Sequence, residues 1–226
     1  PQEAKRFNTV DKHWRQTTAA AQRKPNALEF CTNPKLLVTF SEGNKFLDLV
    51  TKGLKDYLET KRTVFTRFYF LSDDELLSIL SETKDVTLVQ PHLKKCFEAV
   101  YRLEFKESSG GIDVVSFTSP KGENIKLHKP LTIRANHGVE MWLGELEKEV
   151  AVTLQKLMKV GVETYKGGSQ DRLAWIQANY AQVVMTISQI IWSSGSEDAI
   201  EQGTLKQWLE MQKAQLLQLL VLVREK

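Results

Sequence analysis

Two cysteines, Cys31 and Cys96, are too few for a disulfide framework, and a chain of 226 residues needs none. There is no Asn-x-Ser/Thr acceptor and no signal-peptide pattern, so a reducing, intracellular setting is expected. No apolar run reaches the roughly 20 residues that a membrane-spanning helix needs, and no membrane partner is expected. An excess of one charge is missing too: 31 Lys and Arg against 28 Asp and Glu leave +3. The densest basic stretch, residues 94–134, mixes eight basic with five acidic side chains, which makes it a solvated face. A nucleic-acid binder concentrates its cations on one surface, so no nucleic-acid partner is expected.

The motifs of catalysis are missing as well. No Gly-Lys dipeptide occurs, hence no phosphate loop; G-x-G-x-x-G, G-x-S-x-G and H-E-x-x-H are also absent. The four histidines, His13, His92, His128 and His137, lack zinc spacing with the two cysteines. No catalytic, cofactor-binding or metal-binding residue is therefore assigned. Asp73-Asp74-Glu75 could be imagined as a metal or acid/base cluster, but a helix cap explains the same residues without a ligand.

Helical periodicity, by contrast, is abundant. Residues 2–22 are helix-compatible but polar, and Pro25 and Asn33-Pro34 punctuate the stretch after them. From Lys35, Leu36, Leu37, Phe40, Leu47, Val50, Leu54 and Leu58 form a stripe of about six turns. Ser72 and Glu75 have the spacing of a capping box, each side chain reaching the other's amide, with Leu71 and Leu76 as a hydrophobic staple. The spacing predicts a helix from Asp73 to about Glu82. A second should run to Val100, with Pro91 in its first turn and Val89, Leu93, Cys96 and Phe97 facing inward.

The period then changes to two. Tyr101, Leu103 and Phe105 alternate with charges, residues 108–111 and 119–122 are turns, and further strands are expected at 112–118 and 125–127. After His137-Gly138 the helical period returns in three segments: from Val139, from about Asp171 to Trp192, and a last helix begun by Ser196. The expected fold class is mainly α, stacked helical bundles with a small antiparallel β meander inserted. Its expected parts are residues 1–100 (helical), 101–134 (meander) and 135–226 (helical bundle).

Longer motifs carry a resemblance that periodicity cannot. They are Lys52 to Arg62, Arg67-Phe68-Tyr69-Phe70-Leu71-Ser72-Asp73-Asp74-Glu75-Leu76-Leu77, Val89 to Phe97 with Leu103-Glu104-Phe105, Gly138 to Leu143, and Gln182 to Ile190. Together they resemble the linker region of dynein heavy chains, in its axonemal form, over almost the whole chain. Thr66, where many relatives have proline, and the final Leu222 to Lys226 depart from the pattern.

The resemblance implies a parent that is an ATP-driven microtubule motor. Its linker is an elongated lever that bends and straightens across a ring of AAA+ modules to give the power stroke. ATP and Mg would belong to that ring, and this segment would carry no cofactor and no catalytic site. The implied partners are the ring of the same heavy chain and, through the parent complex, dynein intermediate and light chains and microtubules. The implied location is the cytoskeleton, in a ciliary or flagellar axoneme, with the cytoplasm as the alternative. Arg67 and Tyr69 are candidate ring contacts, with packing of their own loop as the competing reading. Asn136, Gly138, Gly167 and Gly168 are candidate hinge residues or plain turns. A helical adaptor that docks partner helices is the alternative function.

The capping box generates the first test. Ser72→Ala is expected to lower stability by about 1 kcal/mol, read as a lower denaturant midpoint, and an unchanged midpoint would show that Ser72 does not cap.

Overall fold

The computed structural model describes residues 2–81, 85–134, 137–166 and 172–224. In chain order they form α1 (Gln2–Arg23), α2 (Ala27–Cys31), α3 (Pro34–Val64), a 3₁₀ turn (Thr66–Phe70), α4 (Asp73–Ser81), a second 3₁₀ turn (Val86–Val89) and α5 (Gln90–Cys96). Then come β1 (Arg102–Ser108), β2 (Gly111–Thr118), β3 (Asn124–Ile133), α6 (Val139–Lys166), α7 (Arg172–Ala178), α8 (Ala181–Glu201) and α9 (Leu205–Arg224). The fold is mainly α with one small antiparallel meander, as the sequence leads one to expect. Two compact units emerge: Pro1–Phe97 with Gly138–Met141, and Glu98–His137 with Trp142–Lys226.

In the first unit, Asn26 and Asn33 begin helices rather than ending them. The Asn26 side chain accepts the Leu28 amide at 3.2 Å, and Asn33 accepts the Lys35 amide at 3.1 Å, with Pro34 opening α3. α3 is 31 residues long, and α1 packs on it through pairs such as Trp14 and Phe40, 6.1 Å apart. Its apolar stripe is only partly covered. Leu37 is 73% exposed, whereas Leu58, near the C-terminal end, is buried. The core gathers around that end: Phe65, Phe68, Leu71, Leu76, Ile79, Val89, Leu93, Cys96 and Phe97 are all buried. Fully burying a side chain such as Phe68 contributes roughly 1.5–3 kcal/mol. Burial also pushes the Cys96 thiol up to about 11. α5 ends at Cys96 rather than at Val100, because Phe97 is already extended while its amide closes the last turn on the Leu93 carbonyl.

In the second unit the strands pair in the order β1-β2-β3. β3 runs to Ile133, well past the expected end at Leu127, and Pro130 lies inside it. Proline is tolerated there because β3 is an edge strand of the meander. The strand also buckles: Ser116 faces Lys126, but Val114 faces Leu131, so β3 spends five residues where β2 spends two. Two amides of the buckle find side chains on α6 instead of strand partners. His128 donates to Thr153 Oγ1 at 2.9 Å, and Lys129 donates to Glu149 Oε1 at 2.8 Å.

The helices of this unit close on glycines. Trp175, Val183 and Ile187 form a core with Leu157, Val162 and Tyr165 around it. Trp175 donates its indole N–H to the Gly161 carbonyl at 3.2 Å, and a Cβ on Gly161 would come within 2.5 Å of Ile187 Cδ1. The expected helix over 171–192 is two helices, broken at Asn179-Tyr180 and resumed as α8 through Glu201. Ser196 therefore starts no helix. Its hydroxyl donates to the Trp192 carbonyl at 2.7 Å and accepts the Trp208 indole N–H at 3.1 Å. α8 ends where Gly203 turns left-handed (φ +70°), with Thr204 N–H on the Ala199 carbonyl and Gly203 N–H on that of Ile200.

Gly195 lies under Trp208, and a Cβ there would sit 2.2–2.7 Å from the indole ring. Overpacking of about 1–3 kcal/mol exceeds the roughly 1 kcal/mol that alanine gains over glycine in a helix. Gly195→Ala should therefore lower the urea midpoint. Gly53→Ala, facing only the flexible Glu3 side chain at 3.1 Å, should leave it unchanged or raise it. The reverse order would refute this packing.

Candidate functional site

The sequence that carries the strongest motif folds as a clamped turn. Arg62, in the last turn of α3, bonds the 3₁₀ turn, Leu71 and the start of α4 with its three guanidinium nitrogens. Nε donates to the Phe68 carbonyl at 3.4 Å, Nη2 to the Leu71 carbonyl at 3.0 Å, and Nη1 to the Asp73 carboxylate at 2.8 Å. Such a charge-assisted fork fixes direction as well as distance. Immediately after it, Ser72 Oγ accepts the Glu75 amide at 3.3 Å and Glu75 Oε2 accepts the Ser72 amide at 3.1 Å. Lys95, from α5, donates to the other oxygen of Glu75. That bond, with the Ser72 amide behind it, holds the Glu75 carboxyl down at about 2.

The two candidate contacts in this turn have different surroundings. Arg67 points back into its own unit, with Nη1 donating to the Cys96 carbonyl at 3.0 Å and the guanidinium 5.0 Å from the Phe97 ring centroid. Tyr69 is 55% exposed and its neighbour Phe70 is 68% exposed, while Phe68 between Arg67 and Tyr69 is fully buried. The Tyr69 hydroxyl donates to Glu59, which raises the phenol above its usual range, and the Arg62 guanidinium lies 6.0 Å from the ring centroid. The turn thus presents two adjacent aromatic side chains on a frame fixed by Arg62. Phe70 is not among the contacts expected from the sequence, although it continues the Arg67-Phe68-Tyr69 run.

Of the hinge candidates, Asn136, Gly167 and Gly168 lie outside the described residues. Gly138 is described and half-buried; a Cβ on it would fall 2.9–3.1 Å from the Glu140 carboxylate. Glu140 is buried, with Oε1 bonded to Lys61 and Oε2 without a partner. The bond to Glu140 raises the Lys61 ammonium above its ordinary value despite the opposing effect of burial. This pair spans 79 positions in sequence, and no local pattern announces it.

Asp73 is engaged by Arg62, and Glu75 by Lys95 and by the Ser72 amide. Among the described residues no group of three or more His, Cys, Asp or Glu could hold a metal ion. No helix among them is long and apolar enough to cross a membrane.

Comparison with known proteins places this geometry in context. The family model for the dynein heavy chain, N-terminal region 2, matches residues 1–161. Human dynein axonemal heavy chain 6 is 41% identical over 218 residues, covering 89% of this chain and 5% of that protein. Mouse dynein axonemal heavy chain 1 is 40% identical over 227 residues, covering 100% of this chain and 5% of its own length. Human dynein axonemal heavy chain 12 is 38% identical over 229 residues, with 100% and 7% covered. The chain therefore spans a small fraction of the proteins that it matches.

The Glu75 network makes a pH prediction. Its carboxyl is held below the ordinary 4.5, so the ionised form contributes stability above that range and loses it as pH falls toward about 2. The melting temperature of Glu75→Gln should lie below that of the unsubstituted chain at neutral pH. The gap should close between about pH 4.5 and 2. A gap independent of pH would mean that the charge on Glu75 contributes nothing.

Proposed function

The chain belongs to the dynein heavy chain family, within its N-terminal region 2, and from that premise we propose that it is part of the mechanical linker of an axonemal motor. The observation that carries this reading is the match over residues 1–161, joined to full-length coverage of the chain by axonemal heavy chains. The fold suits the role. α3 and α6 are 31 and 28 residues long, and close-packed helices transmit strain with little compression.

In this reading the segment performs no chemistry. ATP and Mg bind the AAA+ ring of the same heavy chain, and the linker bends and straightens across that ring as the nucleotide changes. Tyr69 and its still more exposed neighbour Phe70 are the proposed ring contacts on the clamped turn, and Arg67 acts behind them as a tie within the unit. Microtubules and the intermediate and light chains are reached through the parent complex, in the axoneme of a cilium or flagellum.

Titrating the 226-residue chain onto a ring that lacks its own linker, with ATP alone and with ATP plus vanadate, tests the proposal. A lever requires the two affinities to differ by about fivefold or more, because a ligand shifts an equilibrium only through its differential affinity for the two states. Equal affinities would contradict the lever and leave a passive scaffold.

A further inference from the structure

Within the second unit, the end of α6 and helices α7, α8 and α9 line a half-open cavity of about 810 Å³. Its walls include Trp192, Trp208, Gln189, Gln212, Gln215 and Arg172. Among the described residues no acidic side chain lines it, and Arg172 is the one charged residue on the described wall. Arg172 Nη1 is buried and has no hydrogen-bond partner. A guanidinium cannot shed its proton, so it cannot escape this situation by becoming neutral. Arg172 as a whole is half-buried, but a charged group with one N–H buried and unpaired costs more than a neutral amide left so.

We propose that this cavity is a docking site for a polypeptide segment that inserts an Asp or Glu carboxylate toward Arg172, with an apolar neighbour of that residue lying along the two indoles. A single guanidinium matches a singly charged carboxylate; phosphate recognition draws on clusters of cations, and among the described residues this wall has only one. The three glutamine side chains each carry a donor and an acceptor, the pair that a peptide group needs. The volume also far exceeds that of one carboxylate. Trp208 is held in place by its bond to Ser196, while Trp192 is 58% exposed and extends the apolar wall outward. The site does not depend on the lever reading, since it is built from one unit alone.

Isothermal titration with two capped peptides tests it: Ser-Leu-Glu-Phe-Ser and its twin with Gln in place of Glu, each added to the 226-residue chain. Saturable binding of the acidic peptide, at least about tenfold tighter than that of the twin, is expected from one desolvated charge-assisted pair. Arg172→Gln should reduce the acidic peptide to the level of its twin, and Arg172→Lys should retain part of the preference. Sodium acetate should compete only weakly. Failure of the acidic peptide to saturate, equal affinity for the twins, or acetate competing as well as the peptide would each overturn the proposal. If Arg172→Gln loses its helical circular dichroism, the comparison of twins on the unsubstituted chain decides alone.

Discussion

Everything in the first unit turns on one side chain at the end of a long helix. Arg62 gathers two carbonyls and a carboxylate from three consecutive stretches of chain, the 3₁₀ turn, Leu71 and the start of α4. Without it, the Leu71 carbonyl would lose the Arg62 donor and the Phe68 carbonyl would keep only the Leu71 amide, where water has little access. The neighbouring capping box and the Lys95–Glu75 pair then carry the fixation on to α5. Arg67 closes the circuit by tying the turn to the Cys96 carbonyl. α3, the turn, α4 and α5 are thereby linked by bonds to charged groups. The exposed aromatic pair, Tyr69 and Phe70, rides on that frame.

The second unit uses a different device, the exchange of partners between sheet and helix. Two amides of the β3 buckle bond to α6 side chains, and the first amide of α8 bonds to Glu123 in the turn before β3, at 2.9 Å. Glycines at 161 and 195 let indoles and branched side chains approach helix backbone closely. Packing made this way is steric as well as polar, so it resists shear. That quality is what the proposed role in force transmission asks for.

Local signals in the sequence translated well into structure. The Ser72–Glu75 box involves residues three apart, so its geometry follows from a single helical turn, and the alternation of Leu103 and Phe105 with charges placed β1 correctly. Features that depend on distant partners did not translate. Ala181, just after the break at Asn179-Tyr180, bonds through its amide to Glu123, 58 positions away, and Lys61 meets Glu140 across 79. Ser196 carries the composition of a cap followed by acids, but the Gln202-Gly203 stop was the stronger local signal, because Gly203 reaches the left-handed region at no cost. The third strand, expected to stop at Leu127, runs on through Pro130, which an edge strand accommodates. For the candidate site, exposure of Tyr69 could be guessed from its polar tip; the inward turn of Arg67 could not, since its acceptor is a carbonyl rather than a side chain.

The central claim is that Arg62 makes the turn and α4 one body with the end of α3. Amide hydrogen exchange on Arg62→Met measures this directly. The account predicts that the amides of Leu71 and Leu76, bonded to the Phe68 and Ser72 carbonyls, exchange roughly tenfold faster or more, while those of α8 keep their protection. Unchanged exchange at Leu71 and Leu76 would contradict the claim and leave the turn held by apolar packing alone.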